Sequence, residues 1–322
     1  MTIKQILENG VKVLKANNID DALLKSKILL CYTLNVEKEY LIINDKKEIA
    51  NEYIDKFNTY INRLINREPL QYITNKQEFM GLEFYVDKRV LIPQPDTEIL
   101  VEEVINICKN AKLNKNYVGV DALIDPKKET ENNNIKILDL CTGSGAIGIS
   151  IAKYIQNSET TLSDISNDAL KVATRNYNNI VGADDPVCPQ NNRIKIIQSD
   201  LFENIEDKFD IIVSNPPYIK TKIIKTLEKE VQNEPILALD GGKDGLDIYR
   251  KIIEQAHNYL NEKGYLCLEI GYDQKEEVIN LIKETGKYTN VYSKKDLAGN
   301  DRIVICEKLS KKHWTIWKNM VS

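Results

Sequence analysis

The second half of the chain alternates short apolar strands with amphipathic helices, and this alternation restricts the fold more than any other feature. The predicted strands are 135–141, 160–166, 193–200, 209–215 and 264–271, and the helices between them are 145–157, 167–180, 246–260 and 274–285. Such an alternation is typical of a mostly parallel, doubly wound sheet. Two more strands, near 288–294 and 301–307, are joined by a short connection, so one of them is expected to run antiparallel. We therefore predict an α/β domain with a seven-stranded sheet.

The first part of the chain has a helical pattern instead. Apolar residues recur at helical spacing within 3–14, 22–30 and 54–65, which indicates amphipathic helices. Aromatic and β-branched residues in 77–92 then predict a short hairpin, and prolines end it. We divide the chain into a helical domain at 1–75, a hairpin linker at 76–95, the α/β domain at 96–308 and a tail at 309–322.

Two polar stretches interrupt the α/β domain. Residues 111–134 and 183–192 are rich in asparagine, aspartate and other polar residues, and we interpret both as insertions. The tail at 309–322 is likewise interpreted as an addition.

Composition argues against several classes of protein. Of 322 residues, 44 are basic and 48 acidic, which gives a net charge of −4 and speaks against a protein held on DNA mainly by phosphate contacts. Only two histidines are present and no CxxC pair occurs, so we expect no metal site and no Ser-His-Asp triad. No apolar run approaches the ~18 residues of a membrane span, and no signal peptide is evident. A cytoplasmic protein with reduced cysteines is expected.

A glycine-rich loop follows the first strand of the predicted sheet. Its sequence, Asp139-Leu-Cys-Thr-Gly-Ser-Gly-Ala-Ile-Gly148, has the GxGxxG spacing at Gly143, Gly145 and Gly148, which lets the backbone approach a ligand. Asp164, at the end of the second strand, suits a ribose hydroxyl of a dinucleotide or of S-adenosylmethionine (SAM). Asp139 favours SAM, because its carboxylate can meet the ammonium group directly or through water. A pyrophosphate would gain nothing from that carboxylate.

A second motif, Ser214-Asn-Pro-Pro-Tyr218, ends the fourth predicted strand, where ligands bind in parallel sheets. The side chain of Asn215 and the carbonyls of Pro216 and Pro217 can accept hydrogen bonds, and Tyr218 offers a flat apolar face. These groups suit a planar NH2 group whose lone pair is aimed at a methyl sulfonium. The transfer is an in-line displacement that depends on positioning and electrostatics and needs no general base of unusual pKa.

Together, DxxTGSG and SNPPY resemble the class I amino-methyltransferases, which modify adenine N6, cytosine N4 or a protein glutamine N5. The flanking segments resemble the release-factor glutamine N5-methyltransferases, the HemK family. They are 67–73 (REPLQYI), 79–81 (FMG), 90–98 (VLIPQPDTE), 234–235 (EP), 239–246 (LDGGKDGL), 268–271 (LEIG) and 296–302 (DLAGNDR). The resemblance runs from the helical domain to about Lys308.

The resemblance implies a SAM-dependent enzyme with the class I methyltransferase fold. Such an enzyme methylates the glutamine of the GGQ tripeptide in class I peptide-chain release factors, with the helical domain recognising the protein substrate. We expect a monomer with no membrane association and no stable nucleic-acid binding.

The site residues follow from the same resemblance. The expected SAM-binding residues are Asp139, Cys141, Thr142, Gly143, Ser144, Gly145, Asp164, Asp200, Leu201 and Asn215. The resemblance implies that Leu201 lies beside the adenine. The expected catalytic and substrate-binding residues are Asn215, Pro216, Pro217 and Tyr218.

Two positions depart from the family pattern. Gln94 stands where the family commonly has arginine, so a charged contact is missing, and Cys141 replaces the usual first glycine of the loop.

Three other interpretations stay open at this point. An adenine-N6 methyltransferase acting on DNA or RNA shares NPPY and SAM. A nicotinamide dehydrogenase is supported by GxGxxG alone. A non-catalytic binding protein with the same fold is the third.

Overall fold

The computed structural model describes residues 1–115, 134–182 and 193–310, with the side chains of 111–115 left aside. Most of the insertion predicted at 111–134, all of that at 183–192 and nearly all of the tail at 309–322 therefore lie outside the described residues. The chain forms two compact units. The helical unit comprises Met1–Lys76, Val86–Lys88 and Leu227–Glu234, and the sheet unit comprises the other described residues.

The helical unit contains five helices. They are α1 (Ile3–Ala16), α2 (Ala22–Leu34), α3 (Lys38–Ile43), α4 (Asn51–Ile65) and α5 (Leu70–Thr74). The three stretches with helical spacing form α1, α2 and α4, whereas α3 and α5 are too short to show a periodicity. Leu14, Leu29 and Phe57 lie in the buried core of this unit. A Cβ added at Gly10 would lie 2.7 Å from the Phe57 ring, so this glycine allows the close approach of α1 and α4.

The predicted hairpin is present but shorter than the sequence indicates. Strands β1 (Gln77–Phe79) and β2 (Leu82–Phe84) pair antiparallel around Met80 and Gly81, which both have positive φ, as tight hairpin turns require. The extension of the hairpin toward residue 92 was wrong. The backbone of Tyr85 is hydrogen-bonded through both its N–H and its carbonyl to the Asn176 side chain, so β2 ends at Phe84.

The sheet unit is built on seven strands. They are β3 (Ile135–Leu140), β4 (Ser158–Asp164), β5 (Ile194–Gln198), β6 (Phe209–Ser214), β7 (Leu260–Glu269), β8 (Tyr288–Lys295) and β9 (Asp301–Lys308). Their order is β5-β4-β3-β6-β7-β9-β8. The first five strands are parallel, and β9 runs antiparallel to both β7 and β8. The prediction of a mostly parallel seven-stranded sheet with one antiparallel strand is confirmed.

Helices cover both faces of this sheet. In chain order they are α6 (Glu98–Lys115), α7 (Ala146–Tyr154), α8 (Asn167–Ile180), α9 (Thr221–Ile224), α10 (Ile236–Leu239), α11 (Asp247–Tyr259) and α12 (Lys275–Glu284). Ile137 packs in the cluster with α6 and α7, and its neighbour Leu138 in the cluster with α11 and α12. Apolar residues on both faces are typical of parallel strands buried on both sides. None of the described helices is long and apolar enough to cross a membrane.

Strand order reverses between β3 and β6, because the chain builds outward from β3 to β5 and then returns to the other side of β3. In doubly wound sheets, ligands bind beyond the carboxyl ends of the strands at such a reversal. The two sequence motifs follow β3 and β6, so the fold brings both to this position.

Candidate active site

The loop between β3 and α7 adopts backbone conformations that favour glycine. Cys141, Gly143 and Gly145 all have positive φ, between 56° and 83°. The third glycine of the motif has a packing role: a Cβ at Gly148 would lie 2.2 Å from Cδ2 of Leu162. The loop therefore turns sharply, and α7 lies close against the sheet.

Asp139 organises this loop from within. Its Oδ2 accepts hydrogen bonds from the Thr142 hydroxyl (2.6 Å) and from the Gly148 N–H (2.9 Å), while Oδ1 is buried without a partner among the described residues. Burial raises the pKa of Asp139 to about 7. An N–H in the first turn of α7 is thus bonded to a carboxylate, whereas a dinucleotide fold leaves such groups for its pyrophosphate.

Asp164 lies at the end of β4 and faces the same loop. Its Oδ2 accepts from the Gly143 N–H (2.9 Å) and its Oδ1 from the Ser166 N–H (2.8 Å). Burial raises its pKa, although these hydrogen bonds oppose the shift. The carboxylate is fixed in orientation, and each oxygen has a second lone pair for a hydroxyl of a ligand.

A cavity opens beside the two motifs, and its lining is acidic. It is lined by the loop after β3, by residues after β4 and β5, and by Asn215 and Pro217. Among the described lining residues, Asp164, Asp200 and Asp240 carry negative charge and Arg89 carries positive charge. Such a lining suits the sulfonium and ammonium groups of SAM and opposes the two negative charges of a dinucleotide pyrophosphate. The residues present therefore fit SAM better than a nicotinamide cofactor.

The structure brings about half of the sequence-predicted site residues to this cavity. Those that line it are Cys141, Gly143, Asp164, Asp200, Leu201, Asn215 and Pro217. Those that neighbour it in the chain without lining it are Asp139, Thr142, Ser144, Gly145, Pro216 and Tyr218. Direct contact of this second group with a cofactor or substrate stays a prediction.

The NPPY segment is fixed by hydrogen bonds from several elements. Ser214 donates from Oγ to the Leu140 carbonyl (2.7 Å), and Gln274 donates from Nε2 to the Tyr218 carbonyl (3.1 Å). A Cβ added at Gly241 would lie 2.7 Å from the Tyr218 Cα. The segment is thus held between the strand before it and the 239–246 loop that packs on it.

Two side chains that contact the NPPY segment were not predicted as site residues from the sequence. Thr97 accepts a hydrogen bond from Asn215 Nδ2 (3.3 Å), and Glu269 lies within 3.5 Å of the Tyr218 hydroxyl through Oε1. Both are buried. The signal for Glu269 was available, because an ionisable residue at the carboxyl end of the apolar strand β7 is unusual. The signal for Thr97 was its place in the 90–98 segment of the family resemblance, but its contact with Asn215, 118 positions away, has no signal in the local sequence.

The glutamine that departs from the family pattern makes only a local contact. Gln94 is exposed and donates from Nε2 to the Ile92 carbonyl (3.0 Å). The segment is held instead by Asp96, which pairs with Arg302 (3.0 Å), and Arg302 in turn pairs with Asp296 (3.0 Å). The 90–98 and 296–302 segments of the family resemblance thus meet through one arginine.

Known proteins similar to this chain show the family to which it belongs. The PrmC N-terminal domain family matches residues 5–74, and the methyltransferase small domain family matches residues 118–234. The release factor glutamine methyltransferase of Clostridium acetobutylicum is 41% identical over 309 residues, which cover 95% of this chain and 98% of that protein. The protein of the same name from Clostridium botulinum is 38% identical, covering 96% and 100%.

Among solved structures, the hMettl16 catalytic domain in complex with the MAT2A 3′UTR hairpin 6 has a TM-score of 0.52. It is 13% identical and covers 75% of this chain and 81% of its own, so it supports the fold alone. The two clostridial relatives match in both units, over nearly their full length and far above chance similarity. This chain therefore belongs to the release factor glutamine methyltransferase family.

Proposed function

We propose that this protein transfers a methyl group from SAM to the side-chain amide nitrogen N5 of the glutamine in the GGQ motif of class I peptide-chain release factors. The observation that carries the proposal is the Asn215 amide at an acidic cavity, with its Nδ2 already engaged by Thr97. In a member of this family, an Asn oxygen free to accept from an incoming NH2 group is the feature that amide methylation needs.

SAM, when bound, supplies an electrophilic methyl group on a sulfonium. The residues that would hold it are Asp164 for the ribose hydroxyls, Leu201 for the adenine, and the Cys141–Gly145 loop with its close backbone approach. Asp164 is suited to this role because two backbone N–H groups fix its carboxylate. The acidic lining favours the net positive charge of the cofactor.

The glutamine amide is a weak nucleophile, because its nitrogen lone pair is delocalised into the carbonyl. Asn215 Oδ1 and the carbonyls of Pro216 and Pro217 would accept its hydrogens and turn the nitrogen toward the electrophile. Prolines are suited to this position, because they fix the backbone and add no competing N–H donors. The contribution of the protein is then orientation and electrostatic stabilisation of the charge that develops on nitrogen.

An adenine amino group could be methylated by the same chemistry. Other observations therefore decide between a protein substrate and a nucleic-acid substrate. The two clostridial relatives bear the name of the glutamine enzyme, and the net charge of −4 supports a protein substrate over a nucleic acid. We propose a cytoplasmic monomer that meets release factors transiently.

The test is incubation of the full chain with SAM labelled in its methyl group and a purified release factor, followed by peptide mapping. The label is expected in the GGQ peptide, on the glutamine side chain. A release factor with that glutamine replaced by Ala is the control and should remain unlabelled. Label in added DNA or RNA, or equal label in the control, would contradict the proposal.

A further inference from the structure

We propose that Leu237 is a specificity-determining residue: its side chain forms the cavity wall against which the glycines before the methylated glutamine pack, and it excludes larger residues there. The inference rests on the proposed function and deepens it, because it names what the enzyme recognises besides the glutamine itself. Leu237 lies on α10, and none of the motifs or family segments of the sequence includes it.

The cavity has two parts along the carboxyl edge of the sheet. The lining residues expected to hold SAM follow β3, β4 and β5, which lie on one side of the strand reversal. Asn215 and Pro217 follow β6 on the other side, and three more lining residues come later in the same connection, Leu237, Ala238 and Asp240. A glutamine that reaches Asn215 brings its flanking residues into this second part.

Helix α10 is held directly on the NPPY segment. The N–H of Ile219, the residue after NPPY, donates to the Leu239 carbonyl (2.9 Å), and the Gly241 N–H donates to the Ile219 carbonyl (2.8 Å). These two bonds pair Ile219 with Asp240 as in a parallel sheet. Leu237 comes two residues before Leu239, so its backbone is fixed beside the site of the methyl acceptor.

Leu237 lines the cavity and still leaves much of its apolar surface open. It is 56% exposed, and its neighbour Ile236, which is 64% exposed, is not among the described residues that line the cavity. Apolar area in contact with water is unfavourable, and a ligand that covers it recovers that free energy. Leu237 therefore offers a bound peptide an apolar contact next to Asn215 and Pro217.

The chemistry of the substrate indicates what this contact can recognise. Glycine has no side chain, so an enzyme can recognise the glycines before the glutamine only through their backbone and the space that they leave free. The Leu237 side chain fills that space when it packs on the peptide backbone. A Cβ on the peptide would then meet Leu237, and the backbone of α10 cannot withdraw without displacing the NPPY segment.

The experiment is a double-mutant cycle between enzyme and substrate. We measure kcat/KM for methyl transfer by the wild-type chain, Leu237→Ala and Ile236→Ala on release factors that carry GGQ, GAQ or AGQ. Ile236→Ala is the matched control, because Ile236 is a similarly exposed apolar residue of the same helix. SAM affinity is measured by calorimetry, and folding is verified by thermal unfolding.

We expect the wild-type chain to methylate at least one of the two alanine-containing release factors about 10- to 100-fold more slowly than the GGQ protein, the usual discrimination against one extra methyl group. Leu237→Ala makes room for that methyl group, so the difference should shrink to less than about threefold. Ile236→Ala should keep the full difference. SAM affinity should change less than about threefold in both variants, because the residues expected to hold SAM are unaltered.

An undiminished difference in Leu237→Ala, or one that Ile236→Ala reduces equally, would overturn the inference. Equal wild-type rates on all three release factors would overturn it as well. A loss of SAM affinity of more than about tenfold in Leu237→Ala would mean that Leu237 contacts the cofactor, which also contradicts the proposed role.

The GGQ release factor with the wild-type chain tests the proposed function separately. Label in that protein together with an unchanged GAQ and AGQ difference in Leu237→Ala would refute the role of Leu237 alone. The absence of label from that protein would refute the proposed function itself.

Discussion

At the scale of single residues, the site depends on side chains whose polar groups are already committed to the protein before any ligand binds. Asp139 holds Thr142 and the start of α7, and Asp164 is held by two backbone N–H groups. Only part of each group's bonding capacity remains for a ligand. Preorganisation of this kind lowers the cost of ordering the site when cofactor and substrate arrive.

Asn215→Ala should reduce methyl transfer on the order of 10²–10³-fold, the usual loss when a preorganised electrostatic contact is removed. The expected change lies in the rate of the chemical step, because Asp164 and the glycine loop still hold the cofactor. The measurement is single-turnover transfer together with SAM affinity. Asn258→Ala, an exposed asparagine at the end of α11, is the control. A rate for Asn215→Ala near that of the wild type would mean that NPPY only terminates β6.

Asp139 should make the stability of the protein depend on pH in a defined direction. Burial raises its folded-state pKa to about 7, above the value near 4 of an unfolded aspartate. Between these values the folded state binds the proton more tightly, so stability falls as pH rises through this window. Asp139→Asn keeps the acceptor for Thr142 and Gly148 and removes the titration.

The check is the free energy of unfolding of wild type and Asp139→Asn between pH 4 and 8. The variant should gain relative to wild type as pH rises, by on the order of a few kcal/mol. Other titrating groups are shared by the two proteins and cancel in the difference. A difference that stays constant over the whole range would show that Asp139 titrates normally.

At the scale of elements, the loops after β6 and β7 determine where the NPPY backbone lies. Gln274 at the start of α12 donates to the carbonyls of both Tyr218 and Gly245 and accepts from the Gly271 N–H. This single side chain joins the segment after β7, the 239–246 loop and the end of NPPY. The 239–246 and 268–271 segments belong to the family resemblance, although they lie outside the two cavity motifs in the sequence. This contact gives them a structural role, because it joins both segments to NPPY.

Gly241→Ala should displace the NPPY segment, because the new Cβ would lie 2.7 Å from the Tyr218 Cα and 2.8 Å from the Pro217 oxygen. Both are backbone atoms and cannot rotate away. A shift of this size is expected to slow methyl transfer on the order of 10²-fold and to change SAM affinity little. Lys243→Ala is the control, since this exposed residue lies in the same 239–246 loop. Equal rates for the two variants would contradict this role of Gly241.

Sequence periodicity predicts elements that are long and regular, and it fails where a distant side chain decides the local structure. The strand and helix alternation from residue 135 onward is confirmed, and so is the prediction that one of the last two strands runs antiparallel. The hairpin was overextended because Asn176, about ninety residues away, takes the backbone bonds of Tyr85. The same limit hid the contact between Thr97 and Asn215, which lie 118 positions apart in the chain.

At the scale of the whole molecule, the chain forms two units of different architecture. All the described residues that line the cavity belong to the sheet unit. The helical unit is assembled from three separate pieces of the chain, one of which, Leu227–Glu234, follows the NPPY region in sequence. In this piece Glu230 pairs with Arg67 (3.3 Å), and Asn233 donates to the Arg67 carbonyl (2.8 Å).

A protein that lacks residues 1–76 should still bind SAM but lose most of its activity on an intact release factor. The cavity residues all remain, whereas the surface for a large protein substrate is reduced and Leu227–Glu234 loses its packing partner. Binding energy away from the reacting group is needed to hold the glutamine in place. The measurements are SAM calorimetry and kcat/KM on the release factor, with thermal unfolding to verify the fold. Turnover equal to that of the full chain would contradict a recognition role for the helical unit.

A full-length variant tests the same idea without disturbing the fold. Ile42 and Ile43 on α3 are 72% and 79% exposed, so replacing both with Lys should leave stability nearly unchanged. Exposed apolar side chains of this kind are typical of protein contact surfaces. We expect KM for the release factor to rise several-fold while kcat, SAM affinity and activity on a short GGQ peptide stay the same. An equal loss of activity on the GGQ peptide would mean that the substitutions affect the sheet unit. An unchanged KM for the release factor would mean that α3 is not part of the recognition surface.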